Sequence, residues 1–262
     1  MISYDSVTEI PGNRAHVEQF DAMVTRYSWA AEQSVGKDVE EIACGSGVGL
    51  GMLSAKAASV VAGDCDSKIL KHASDAAKNL GVRVLRLDAE ALDLSDSSFD
   101  VAVCFEAIYY FSSLQTFLKE THRILRPDGR LVLCSVNPDW HGFNSSPFSN
   151  KYYSVDALKA ELISSGFDPE VFMGFPDKPQ SPALRGVGLL RQLAARFGLI
   201  PKSMKGKEFL KQLFYGKLRE IPVRLTPDYG VNRDLIPVDN VEDQKAFKVI
   251  YMIGRKRPGS HS

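Results

Sequence analysis

Between Val39 and Leu53 the chain reads V-E-E-I-A-C-G-S-G-V-G-L-G-M-L, and no other stretch limits its fold as much. Val39, Ile42 and Ala43 form a short apolar run, and Gly45, Ser46, Gly47 and Gly49 make a turn that no side chain crowds. Leu50, Leu53 and Ala57 then restart at helical spacing. This is a strand, a turn and a helix. Glycines at a strand's carboxyl end permit positive φ and close approach of a ligand, and the free N–H groups of a following helix favour an electron-rich partner.

Two cofactor classes use such a turn. The dinucleotide fingerprint is G-x-G-x-x-G, and here its third glycine position holds Leu50. Further along, Val60 to Gly63 is a short strand ending in Asp64, about twenty residues beyond the glycines, where nucleotide-binding α/β folds hold ribose hydroxyls. A carboxylate accepts two hydrogen bonds from a diol. Asp66 is the rival, placed as helix N-cap before Ile69, Leu70, Ala73, Ala77 and Leu80. Gly81 ends that helix, and Val82 to Leu87 alternates as a strand before Asp88-Ala89-Glu90. Phe99 to Phe105 is apolar enough for a parallel strand covered on both faces. A helix over Leu114 to Leu125, a turn at Pro127-Asp128-Gly129 and a strand over Arg130 to Ser135 follow. Ser154 caps a helix ending before Gly166, and Asp168–Phe175 and Ala246–Gly254 read as the last two strands.

Glu41 ahead of the glycine turn, the D-A-E after the third strand with Leu94 to Asp100 behind it, and F-L-K-E-T-H-R-I-L-R-P-D-G-R-L-V-L resemble class I S-adenosylmethionine-dependent methyltransferases of the 11/25 domain type. Asp128 replaces a glycine of that family's usual Pro-Gly-Gly, a mild change because Asp tolerates turn geometry. The resemblance is close over residues 35–175 and loose over 245–256. It implies a doubly wound, Rossmann-like α/β sheet of order 3-2-1-4-5-7-6 with strand 7 antiparallel. S-adenosylmethionine is then the expected cofactor. Glu41, Ala43, Gly45 and Gly47 fall at its amino-acid end, Asp64 and Cys65 at ribose, Asp88, Ala89 and Glu90 at adenine, and Phe105 beside adenine or sulfonium. The family's helices ahead of the first strand cover the cofactor. Arg26 and Tyr27 are therefore expected at the acceptor, with Tyr109 and Tyr110 opposite, although all four also read as ordinary surface or core residues.

The expected reaction is methyl transfer to a nucleophile, a hydroxyl oxygen by preference. His141, in the loop Val136 to Phe143 after a strand's carboxyl end, leads as general base because imidazole titrates near working pH. Glu106 and Asp139 are its rivals, and alignment of the reacting atoms without a base is the alternative. A nicotinamide-dependent oxidoreductase and a non-catalytic cofactor-binding partner subunit are the competing readings. The first lacks the glycine spacing and a Tyr-x-x-x-Lys pair, and the intact motifs weigh against the second.

The 262 residues suffice for one large domain, and a formal net charge of zero gives no global attraction to nucleic acid or membrane. Three units are expected: a helical lid over residues 1–34, a core over 35–175 and 245–256, and an inserted basic helical cap over 176–244. Between Arg185 and Arg224 ten Lys and Arg stand against Glu208 and Glu220. Apolar stripes run through Leu189, Leu190, Leu193 and Phe197, and through Phe209, Leu210, Leu213 and Phe214. Such a cap suits a phosphorylated or lipid-linked glycan acceptor or an anionic membrane surface, or is merely a solvated face. Cys44, Cys65, Cys104 and Cys134 lie too far apart for a C-x-x-C pair, so neither disulfides nor a metal site are expected. With no apolar span or signal pattern, the expected compartment is the cytoplasm.

Overall fold

A computed structural model describes residues 8–177 and 218–258. The two expected helices of the cap lie outside these residues. Seven strands build the main sheet: β1 (Asp38–Ile42), β2 (Ser59–Asp64), β3 (Arg83–Arg86), β4 (Phe99–Phe105), β5 (Leu125–Val136), β6 (Phe167–Pro176) and β7 (Phe247–Lys256). Their order is 3-2-1-4-5-7-6, and Ile236–Pro237 adds a short outer strand against β6. Strands β1 to β5 pair in parallel, while β7 runs antiparallel to both β5 and β6. The expected sheet order, with strand 7 antiparallel, is therefore the observed one.

Side-chain alternation divides the core into two layers. On β4, Val101, Val103 and Phe105 face one layer, which also takes Phe20, Met23, Val24 and Tyr27 from α1 (Val17–Gln33), Leu50 and Leu53 from α2 (Leu50–Ser54), and Ala73 and Ala76 from α3 (Ile69–Ala77). Ala102 and Cys104 face the other, packed by Phe117 and Leu118 of α4 (Leu114–Ile124) and Leu158 and Leu162 of α5 (Val155–Ser164). Helix α1 starts at a capping box, His16 accepting from the Gln19 N–H and Gln19 from the His16 N–H.

Local differences from the sequence reading have clear causes. Helix α2 is only five residues long, because the chain must turn at Ala55 to enter β2. An extended helix N-terminus is thus not what faces the glycine turn. Asp66 bonds the Lys68 N–H at 2.8 Å, making a turn just ahead of α3 instead of capping it. The expected turn at Pro127-Asp128-Gly129 lies inside β5 as an irregularity, with Asp128 at φ 62° where the β4–β5 register shifts between Phe99 and Val101.

The described end of the inserted segment is woven into the domain. Arg219–Glu220 pairs with Arg14–Ala15, Ile221 and Leu225 are buried in the α1 layer, and the Val231 N–H and Arg233 side chain both bond Asp21 of α1. Arg224 donates to the Ala76 and Lys78 carbonyls and so caps the C-terminus of α3. Arg219 lies over the Phe20 and Tyr229 rings at 4.9 and 5.2 Å. These two of the ten cations serve the fold itself.

Candidate active site

From β1 the chain passes to β2 on one side, and β4 lies on the other, so the sheet's order reverses between the carboxyl ends of β1 and β4. Open α/β sheets bind ligands at such a point. Both strand ends leave the sheet through left-handed residues: Ala43 (φ 58°), Gly45 (φ 56°) and Gly47 (φ 71°) after β1, and Glu106 (φ 52°) after β4. In Ala and Glu that conformation costs about 1–2 kcal/mol each, and such strain gathers at functional sites. The two turns open a cavity of ≈ 550 Å³, a size suited to a cofactor and a small acceptor.

Asp64 at the end of β2 accepts the Gly45 N–H at 3.0 Å on one oxygen and the Asp66 N–H at 2.9 Å on the other. It braces the glycine turn, and a carboxylate so bonded retains acceptor sites for a diol. Burial pushes its pKa up despite the two N–H donors. Glu41, buried on β1, accepts the Tyr27 hydroxyl at 2.7 Å. Burial pushes its carboxyl up to about 7, against that hydrogen bond and Arg26. Tyr27 also meets Phe105 edge to face at 5.4 Å.

Glu106 is half-buried, and the Tyr109 hydroxyl and the Val136 N–H both donate to its Oε2 at 3.2 Å. Burial raises its pKa, opposed by Arg26 and by these bonds. Asp88 accepts the Glu90 N–H at 2.9 Å, and Glu90 in turn accepts the Ser112 N–H at 3.0 Å and the Ser112 hydroxyl, which fastens the loop after β4. Tyr109 stacks on Tyr152 with centroids 4.6 Å apart, while the Tyr110 and Ser146 hydroxyls lie 2.7 Å apart.

Of the residues singled out from the sequence, the cavity wall holds Arg26, Tyr27, Glu41, Ala43, Gly45, Asp64, Cys65, Asp88, Ala89, Glu90, Phe105, Glu106, Tyr109 and Tyr110. Gly47 and His141 are not in it. Gly47 backs onto α3, where a Cβ would come within 2.9 Å of the Ala73 Cα. His141 is exposed, its backbone tied to the Lys245 carbonyl at 3.3 Å, because the loop after β5 turns away from the cavity. The structure thus brings Glu106, and not His141, to the cavity. Sequence reasoning missed Glu9, Gln19 and Ser46 in the wall. Glu9 stands in no motif, Gln19 belongs only to the capping box of α1, and Ser46 reads only as part of the turn.

Gly49 ties the turn to α1. A Cβ there would fall 2.0 Å from the Tyr27 ring, which Phe105 and Glu41 hold in place. Gly49→Ala is expected to displace Tyr27, lowering stability by about 1–3 kcal/mol as overpacking does. A thermal melt checks this, and an unchanged midpoint would mean that the ring yields freely.

The wall's electrostatics are one-sided. Glu9, Glu41, Asp64, Asp88, Glu90 and Glu106 face a single basic side chain among the described wall residues, Arg26, which is itself paired with Glu9. Such a site suits a cation. Two buried wall atoms also lack partners: the donor Arg26 Nε and the acceptor Glu41 Oε2. Opposite orphans of this kind fit the carboxylate and ammonium of an amino-acid group. With Asp64 placed for a diol and Asp88 and Ala89 beyond it, the residues present fit S-adenosylmethionine.

Fold and site together define a nucleoside-cofactor-binding α/β domain with an acidic pocket at its switch point. A methyltransferase domain family model matches residues 41–133. A probable S-adenosylmethionine-dependent methyltransferase of Mycobacterium tuberculosis is 28% identical over 176 residues, 66% of this chain and 60% of the relative. The chain thus matches less than two thirds of that relative's length. The phthiotriol/phenolphthiotriol dimycocerosates methyltransferase of Mycobacterium leprae is 30% identical over 128 residues, 48% of this chain and 46% of the relative. Among solved structures, phosphoethanolamine N-methyltransferase 2 of Haemonchus contortus in complex with S-adenosyl-L-methionine shares the fold, with TM-score 0.55 and 17% identity over 95% of this chain and 54% of that one. Residues 41–133 thus match a methyltransferase domain family, and the chain is similar to S-adenosylmethionine-dependent methyltransferases.

Proposed function

We propose that this protein transfers the methyl group of S-adenosylmethionine to a hydroxyl oxygen of a small or glycan-type acceptor, with Glu106 as proton acceptor. The observation that carries the reading is the convergence of Glu41, Asp64, Asp88 and Glu106 on one cavity with a single ion-paired Arg. The cofactor supplies an electrophilic methyl carbon on a sulfonium: the new O–C bond forms as the S–C bond breaks, and the hydroxyl proton leaves to a base. Asp64 would hold the ribose diol and Asp88 with Ala89 would border adenine, while the strained turns at Ala43 and Glu106 set the two halves of the pocket against each other. Glu106 Oε2 is fixed by Tyr109 and the Val136 N–H, which orients its carboxylate before the acceptor enters.

The acidic wall favours an uncharged acceptor over a phosphorylated one, since a phosphate would enter among carboxylates with no unpaired cation beside it among the described residues. The "triol" in the name of the Mycobacterium leprae relative is in keeping with a hydroxyl acceptor. No helix among the described residues is long and apolar enough to cross a membrane.

Calorimetric titration with S-adenosylhomocysteine tests the reading. Wild type is expected to bind, and Asp64→Ala to bind about 10–100-fold more weakly, since hydrogen bonds to a charged group contribute about 1.5–3 kcal/mol. Folded wild type that ignores S-adenosylhomocysteine and instead quenches NADH fluorescence would replace this reading with an oxidoreductase one.

A further inference from the structure

The chain reaches the cavity mouth as a strap, residues 8–15, laid across the glycine turn. Thr8 Cγ2 lies 3.2 Å from where a Cβ on Gly45 would stand, and the Ser46 hydroxyl donates to the Glu9 carbonyl at 2.5 Å. The strap's other end is pinned by the Gly12 N–H on the Ile221 carbonyl at 2.9 Å, the Ile221 N–H on the Asn13 carbonyl at 2.7 Å, and the pairing of Arg14–Ala15 with Arg219–Glu220. This holds Glu9 over Arg26.

The contact between them is incomplete. Glu9 Oε2 pairs with Arg26 Nη2, whereas Arg26 Nε is buried and has no partner. Nε and Nη2 lie on one edge of a guanidinium, the fork that a carboxylate takes with two parallel hydrogen bonds. Glu9 fills one prong and leaves the other bare. The Arg26 side chain is 10% exposed and that of Glu9 30%, so the acid is the partner nearer to water and the one able to leave.

We infer that Glu9 is an internal stand-in for the cofactor's carboxylate, holding Arg26 until a ligand carboxylate takes both prongs and displaces it. The inference rests on the methyltransferase reading, since it presumes a ligand with an amino-acid end. It makes Glu9 a positioning residue, acting on the ligand through Arg26. The bare prong favours the exchange, because it leaves a buried donor unsatisfied that the incoming carboxylate satisfies. Competition from Glu9 then weakens binding of every ligand that carries the carboxylate and spares those that lack it.

The test compares S-adenosylhomocysteine with 5′-methylthioadenosine, which keeps the nucleoside and thioether but has no amino-acid end. Calorimetric titration of Glu9→Gln is expected to show S-adenosylhomocysteine bound about three- to fivefold more tightly than by wild type, the size of a partly exposed ion pair, with 5′-methylthioadenosine unchanged. Adding Glu9→Gln to Arg26→Gln is expected to bring no further gain, because the fork is already gone. Weaker or unchanged S-adenosylhomocysteine binding by Glu9→Gln overturns the inference, weaker binding meaning that Glu9 itself contacts the ligand. Equal shifts for both ligands also overturn it, leaving Glu9 a purely structural part of the strap. If folded wild type binds neither nucleoside, the methyltransferase reading fails and this inference with it; binding of both ligands with no effect of Glu9→Gln sinks the inference alone.

Discussion

Glu106→Gln is expected to lower kcat for methyl transfer by about 10²–10³-fold, within the range general-base catalysis supplies, with affinity for S-adenosylhomocysteine nearly unchanged. The amide keeps the shape of the side chain and can still accept from Tyr109 and the Val136 N–H, but it takes no proton. The pH profile separates this from a positional effect. A base works deprotonated, and burial holds the Glu106 carboxyl above its ordinary 4.5. Wild-type activity therefore rises with pH through that raised pKa, above the usual carboxylate range, and the Gln variant loses this limb. Tyr109→Phe removes one donor to the carboxylate and shifts the limb further upward, since that hydrogen bond favours the charged form. His141→Ala, on an exposed loop away from the cavity, leaves kcat as it was. Rates are read as S-adenosylhomocysteine release with an acceptor drawn from a screen of uncharged hydroxyl compounds. A Gln variant with wild-type kcat would mean that alignment alone carries the reaction.

The contrast between Glu106 and His141 shows where the sequence stopped being informative. Strand ends were legible because apolar runs and glycines mark them: β1, β2 and β4 fall where the patterns put them, and the carboxylates that close them, Asp64 and Glu106, line the cavity. The direction of a loop carries no such mark. His141 follows β5 as Glu106 follows β4, yet the β5 loop turns toward Lys245 while the β4 turn, through one left-handed residue, enters the pocket. Gly47 was legible as a glycine that must be one, but the close approach of α3, which leaves no room for a Cβ beside Ala73, was not. Glu9 could not be found from local pattern at all. Its place depends on the strap pairing with residues 219–221, a contact across most of the chain.

A second carboxylate on β1 has the opposite character, and replacing it is expected to stabilise the protein. Glu40 is fully buried between Val61 of β2 and Ala102 of β4, and neither of its carboxylate oxygens has a hydrogen-bond partner among the described residues. Being next to Glu41 on a strand, it points to the other side of the sheet, toward the layer that holds Ile42. Burial, with a smaller push from Glu41 and a pull the other way from Arg83, raises its carboxyl from 4.5 to about 8. The folded state therefore keeps a proton that the unfolded chain gives up, and the sign of the linkage follows. Stability from this group is fully present below pH 4.5 and is lost as pH rises through about 8. The swing is on the order of 3–5 kcal/mol. Glu40→Met, unbranched and of similar length, removes both the titration and the unsatisfied oxygens. Its melting temperature is expected to exceed that of wild type by about 5–10 °C at pH 8, at about 2–4 °C per kcal/mol for a chain of this size, and by much less at pH 5. Wild type without ligand should itself melt lower at pH 8 than at pH 5. The variant keeps part of that slope, because Glu41, pushed up to about 7 by its own burial, titrates in the same direction. Circular dichroism melts of both proteins at the two pH values decide the matter. A Met variant as pH-sensitive as wild type, or one less stable at pH 8, would mean that water reaches Glu40 and keeps it charged.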